Sequence, residues 1–188
     1  MEAIKRAIAA FFDFLQGIVV FMAMLVMVYL FVMSPQEING ASMEPNFHNG
    51  EYILTNKVIY KLRDPKRGEI VIFKSPKNKE IDYIKRIIGE PGDTVKLVNS
   101  AFYVNGNKIE EPYLAPGVYI FGGSFLREGE EVVVPPGMYF VAGDNRPHSA
   151  DSREFGPVAK EDFIGQAILR YWPFTKVGMI PIPRYNME

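Results

Sequence analysis

Three short polar segments hold the residue types that a hydrolytic site needs. In Asn39-Gly40-Ala41-Ser42-Met43-Glu44-Pro45, a serine follows two residues with little or no side chain. A second backbone can therefore approach closely, and the hydroxyl is left uncrowded for attack on a carbonyl. The same serine could equally cap a short helix or close a turn. In residues 81–88, a period of two puts Lys85 on one strand face with Ile81, Tyr83 and Ile87, and Arg86 on the other with Asp82, Ile84 and Ile88. One cation is thus set against apolar neighbours. Burial disfavours its charged form, which brings a lysine down from a pKa of about 10.4 toward use as a general base. The alternative is a lysine that carries its amine out to water. The third segment, residues 143–157, crowds Asp144, Arg146, Ser149, Asp151, Ser152 and Arg153 together directly after a strand pattern at 138–142. A polar loop at a rigid strand end is where sites are built, and Asp–Arg pairs can lock it. An ordinary solvated loop with weak ion pairs has the same composition.

Composition narrows the chemistry further. The chain has no cysteine, so thiol nucleophiles, disulfides and thiolate metal sites are excluded. Its only histidines are His48 and His148, which leaves little from which to build a metal centre, and none is expected. A net charge of −1 with 48% hydrophobic and 23% charged residues points to neither disorder nor nucleic-acid binding.

The elements that must position these residues fall into two parts. Residues 14–33 form an uncharged run without proline. At about 1.5 Å per residue the run spans about 30 Å, the hydrocarbon thickness of a bilayer. It is too long for a removable signal sequence, and Ser34-Pro35-Gln36-Glu37 follows it in place of a small-x-small cleavage site. Lys5 and Arg6 precede the run and the next basic residue is Lys57, so the N-terminus is expected in the cytoplasm. The expected organisation is a cytoplasmic segment at 1–13, a membrane anchor at 14–33 and an exported domain at 34–188. Within that domain, alternation predicts strands at 51–56, 68–74 and 81–88, an Asn-Gly hairpin lies inside 103–109, and the short runs at 132–134, 138–142 and 163–171 read as further strands. Sixteen glycines and 14 prolines punctuate these strands, as expected for an antiparallel, mainly β fold. Tyr171-Trp172-Pro173-Phe174 fits either a membrane interface or the core.

Together the three segments resemble, in order and spacing, the sequence boxes of bacterial type I signal peptidases. The matching residues are Gly40 to Pro45, then Asp82 to Gly89 with Pro91-Gly92-Asp93, then Gly143 to Arg146 with Ser149 to Arg153. The single anchor resembles the compact form of that family. The resemblance implies a mainly β fold, with an N-terminal transmembrane helix followed by an exported antiparallel β domain. It also implies a membrane-bound serine endopeptidase with a Ser-Lys dyad and no cofactor. Ser42 matches the nucleophile, Lys85 the general base, and Ser149 the hydroxyl that orients the lysine. Asp144, Arg146, Asp151 and Arg153 match the residues that hold the site rigid. Gly40 and Ser42 match the oxyanion region. Some relatives place a serine donor where Gly40 stands, so the second donor is open. Ile38, Met43, Phe47, Tyr83 and Ile84 match the pockets that admit small substrate side chains. The implied partners are signal-peptide-bearing preproteins and the lipid bilayer, near the secretion translocon and without nucleic acid. Three rivals are a Ser-His hydrolase using His148 or His48, a self-cleaving soluble regulator, which the anchor disfavours, and a tethered binding module without catalysis.

Overall fold

The computed structural model describes residues 1–183 and 185, so positions 184 and 186–188 of the expected exported domain lie outside it. Helix α1, Glu2–Phe31, has no residue buried against the rest of the chain. Thirty residues give about 45 Å of helix, ample for a crossing. It begins well before residue 14 because Ala3, Ala7, Ala9 and Ala10 are strong helix formers that extend the helix backward past Asp13, beyond the uncharged run. It also stops short of Met33, the first residue of strand β1, Met33–Glu37.

Beyond α1 the chain is antiparallel β. After β1 come β2 (Tyr52–Asn56), the short helix α2 (Ile59–Leu62), β3 (Ile70–Lys74), β4 (Asp82–Gly89), β5 (Thr94–Val98), β6 (Ala101–Val104), β7 (Asn107–Lys108) and β8 (Glu131–Val133). The remainder is β9 (Met138–Ala142), helix α3 (Ser152–Phe155), β10 (Val158–Ala159), β11 (Phe163–Trp172) and β12 (Gly178–Met179). The larger sheet runs β1-β2-β11-β3-β4-β9-β10, with β12 paired to β11. The smaller runs β7-β6-β5-β8.

Alternation along β3 shows why the larger sheet is covered on both faces. Ile70 and Ile72 join one apolar cluster with Ile38, Met43, Phe47 and Ile53. Val71 and Phe73 join another with Ile87, Tyr139 and Val141. A third cluster, in which Ile88, Phe140 and Ala142 meet Val95, Leu97, Phe102 and Val104, clamps the smaller sheet onto β4 and β9. The hairpin turns at Asn105-Gly106 between β6 and β7. Four strands go beyond the sequence expectation: the two-residue β10 and β12, and the longer β1 and β5. β1 is Met-Ser-Pro-Gln-Glu, polar and proline-bearing, which an edge strand tolerates but hydrophobic alternation does not reveal. β5 does alternate, burying Val95 and Leu97, but it is short and directly follows the 89–93 turn.

Candidate active site

Ser42 lies in a run of turns that the core holds from below. The flanking Met43 and Phe47 are buried. The turn closes through Glu44 N–H to Ala41 O (3.2 Å) and Phe47 N–H to Met43 O (3.0 Å). Gly40 takes φ +103°, a conformation that side-chain-bearing residues avoid. The polar loop after β9 grips the turn from above. Asn145 donates its backbone N–H to Ser42 O at 3.0 Å and its Nδ2 to Ala41 O at 3.0 Å.

Lys85 reaches the same point from β4. Its Nζ lies 2.7 Å from Ser42 Oγ and 2.9 Å from Ile84 O, and 5.3 Å from the Tyr83 ring centre. The side chain is only 4% exposed. Burial pushes the amine down from 10.5 to about 8, against the opposing pull of the Asp151 and Asp144 carboxylates. A lysine that loses its proton this readily, in contact with a hydroxyl, is equipped to activate it.

Around the pair stands a lattice of buried ions. Asp144, on the loop after β9, is held bidentately by Arg86 of β4 at 2.9 and 2.7 Å, while Arg86 also donates to Gly68 O at 2.9 Å and stacks 4.0 Å above Tyr113. Asn46, from the Ser42 turn, donates to Asp144 Oδ2 at 2.8 Å. Arg146 is fully enclosed, grips both oxygens of Glu111 and donates to Gly143 O. Asp151 accepts from Arg153 Nε and Nη2, both at 2.8 Å, and from Gly143 N–H at 3.0 Å. Burial would raise the Asp151 carboxyl, but the guanidinium and amide donors hold it below its ordinary value. Arg86 stays charged although burial opposes it, because Asp144 is in contact.

Gly143 is the meeting point of these groups. A Cβ there would lie 2.2 Å from Ser149 Oγ and 2.5 Å from Ser42 O, so only hydrogen fits. The Ser149 hydroxyl is buried and finds no hydrogen-bond partner among the described residues, although it lies near enough to Asp151 to favour the carboxylate. The Ser149–Lys85 bond implied by the resemblance is therefore open, since Lys85 Nζ is engaged by Ser42 Oγ and Ile84 O. In the oxyanion region, Gly40 N–H is taken by Asn49 Oδ1 at 2.8 Å. The Ser42 N–H has no partner among the described residues.

A groove of about 570 Å³ leads to the dyad. Ile38, Tyr83 and Ile84 line it with Ser42 and Lys85. One wall is the outer edge of β4, where residues 82–85 pair only with β3 and pairing with β9 begins at Arg86. Met43 and Phe47 are placed elsewhere: both belong to the apolar cluster beneath the Ser42 turn, and Phe47 faces a separate cavity beside Arg86 and Arg170. His148 lies on the rim of the groove. His48 is beside Glu51, at 3.5 Å. Trp172 and Phe174 are exposed and packed edge to face at 4.8 Å.

Residues 11–172 match the family model described as signal peptidase, peptidase S26. The chain belongs to that family. Signal peptidase IB of Staphylococcus aureus (strain COL) is 38% identical over 175 residues, which cover 87% of this chain and 91% of the relative. Signal peptidase I of Bacillus amyloliquefaciens is 35% identical over 177 residues, covering 92% of this chain and 91% of the relative. Among solved structures, a signal peptidase I from Enterococcus faecalis is 33% identical with a TM-score of 0.47, covering 55% of this chain and 97% of that one. As a member of the family this peptidase is a serine hydrolase, and its apolar N-terminal helix is consistent with membrane anchoring.

The candidate site also includes residues that the sequence does not single out. Asn46, Asn145 and Glu111 bind the loops to one another, and Arg86 is as buried as Lys85 although the alternation sets only one cation inward. The missing signal was pairing: two adjacent buried cations require buried carboxylates, and the loop at 143–157 supplies Asp144.

Proposed function

We propose that this S26 peptidase cleaves signal peptides from exported preproteins after small-x-small sites, through an acyl-enzyme on Ser42 with Lys85 as general base. The 2.7 Å contact between Ser42 Oγ and a buried Lys85 Nζ carries the reading. Neutral Lys85 accepts the Ser42 proton as Oγ adds to the scissile carbonyl, and the Ser42 N–H donates to the resulting oxyanion. When the tetrahedral adduct collapses, the Lys85 ammonium returns that proton to the leaving amine. Lys85 then takes a proton from water as the resulting hydroxide adds to the ester, and on collapse returns it to Ser42 Oγ, which frees Ser42 and releases the carboxylic acid product. Ser149 is the acceptor available to the ammonium form, and the Asp144, Arg146, Asp151 and Arg153 pairs keep the loops from drifting. The substrate lies extended along the open edge of β4, with its small side chains against Ile38, Tyr83 and Ile84 and with Met43 and Phe47 supporting the floor.

In this reading α1 crosses the cell membrane once with the N-terminus in the cytoplasm, which places the exported domain on the outer face near the secretion translocon. Tethering confines enzyme and membrane-inserted substrate to one surface and raises their effective concentration. The test is cleavage of an Ala-x-Ala preprotein in detergent, with mass spectrometry of the products. Cutting after the second alanine by wild type and His148→Ala, and no cutting by Ser42→Ala or Lys85→Ala, is the expected result. Activity in Lys85→Ala together with its loss in His148→Ala would replace the dyad with a Ser-His pair.

A further inference from the structure

At the C-terminal end of α1 the chain forms a third concavity, of about 490 Å³, that shares no lining residue with the groove at Ser42 and Lys85. Leu30 and Phe31 from the last turn of α1, together with Phe163 of β11, form its apolar side. Lys57, Lys61 and Lys160 form the other, with Glu161 the single carboxylate in the lining. The lining thus has a surplus of positive charge.

Each lysine is differently held. Lys57 donates to Leu30 O at 3.3 Å and lies 5.8 Å from the centre of the Tyr29 ring. It therefore sits against the carbonyl end of the helix, where a cation is favoured. Lys61 has no carboxylate partner among the described residues. Lys160 pairs with Asp64, but Asp64 is 80% exposed and such a pair is weak in water, so the ammonium can turn to another anion. Lysine ammoniums are compact charges suited to phosphate oxygens.

We propose that this cavity binds the headgroup of an anionic phospholipid, with its phosphodiester among Lys57, Lys61 and Lys160 and its glycerol end against Leu30, Phe31 and Phe163. The proposal rests on α1 crossing the bilayer, as in the reading above. That crossing puts the last turn of α1 at headgroup depth, where a site combining cationic and apolar walls meets a ligand with the same two parts. A zwitterionic lipid carries its own cation and gains less from three lysines. Near an anionic surface each lysine strengthens association by about five-fold.

The test uses the full chain in nanodiscs of phosphatidylcholine and phosphatidylglycerol in equal amounts, released into the gas phase for native mass spectrometry of retained lipids. Wild type is expected to keep phosphatidylglycerol over phosphatidylcholine by at least three-fold. Lys57→Gln/Lys61→Gln/Lys160→Gln is expected to fall to parity. Because Lys57 also touches the helix end, Lys61→Gln/Lys160→Gln leaves that contact intact and is expected to lose at least half of the preference. Lys96→Gln/Lys108→Gln, on the smaller sheet, is expected to keep it. Equal retention of both lipids by wild type overturns the proposal, as does an equal loss from the distant pair. The readout needs no turnover, so it stands or fails apart from the peptidase mechanism, while a chain that does not insert into lipid at all overturns both this site and the crossing.

Discussion

If Lys85 is the base, the rate of cleavage must follow its deprotonation. A lysine at the ordinary 10.5 is neutral in roughly three molecules in ten thousand at pH 7, whereas one brought down to about 8 is neutral in roughly one in ten. Burial among Tyr83, Ile84 and the Ser42 turn thus supplies a gain of about 300-fold in competent enzyme. The expected profile of kcat/KM against pH rises about ten-fold per unit from pH 5.5, bends near 8 and is level by about 9.5. It is measured as initial rates on an Ala-x-Ala peptide in detergent micelles, with stability checked at each pH by circular dichroism. Because kcat/KM reports the free enzyme, substrate desolvation of the groove does not enter, and the bend reads Lys85 as it stands in the structure. A profile flat between pH 6 and 9 would refute the reasoning. So would a bend well below 8.

The same burial has a thermodynamic signature. The pKa of Lys85 is lower folded than unfolded, so between pH 8 and 10.5 the unfolded chain binds more protons and stability rises with pH. Lys85→Met removes that dependence. The variant is expected to be inactive yet more stable than wild type at pH 7, by up to about 3 kcal/mol, with the gap closing toward pH 10.5; urea midpoints at both pH values test it, and an unchanging gap contradicts it. Asp144→Ala strands the Arg86 guanidinium in the interior and is expected to cost about 3 to 5 kcal/mol in the same assay. Asn145→Ala removes the Nδ2 bond to Ala41 O but keeps the backbone bond to Ser42 O, so stability is expected to fall by only about 1 kcal/mol. Its kcat is expected to fall by roughly 10- to 100-fold with KM nearly unchanged, because a looser serine turn misplaces the nucleophile; an equal rise in KM would argue against that role.

How far the sequence discloses all this depends on the range of each interaction. Alternation in residues 81–88 and the short apolar run at 138–142 mark β4 and β9 because a strand's pattern is local. Ser42 and Lys85 are legible as candidates from small neighbours and from apolar neighbours respectively. What local patterns do not disclose is who meets whom. Asn145 reaches back to Ala41 and Asn46 forward to Asp144 across about a hundred residues, and no periodicity records such a contact. Phe47 shows the same limit from the other side: the resemblance matches it to a substrate pocket, whereas taken singly it reads as core packing, and the turn seats it in the apolar cluster. β1 is hidden because its hydrogen bonds to β2 are made by the backbone, which a polar sequence can do as well as an apolar one.

That hidden strand also works as a ruler. Only Val32 stands between the end of α1 and β1, and β1 is pinned residue for residue to β2, so there is no slack in the tether. Five extended residues measure about 17 Å, and the chain turns to Ser42 shortly afterwards. With α1 in the bilayer, the height of the nucleophile above the membrane is set by rigid parts. Under the proposed function, a scissile bond would then be selected by its reach as well as by its side chains: an Ala-x-Ala sequence held too close to its apolar stretch, or too far from it, would present the right residues at the wrong height.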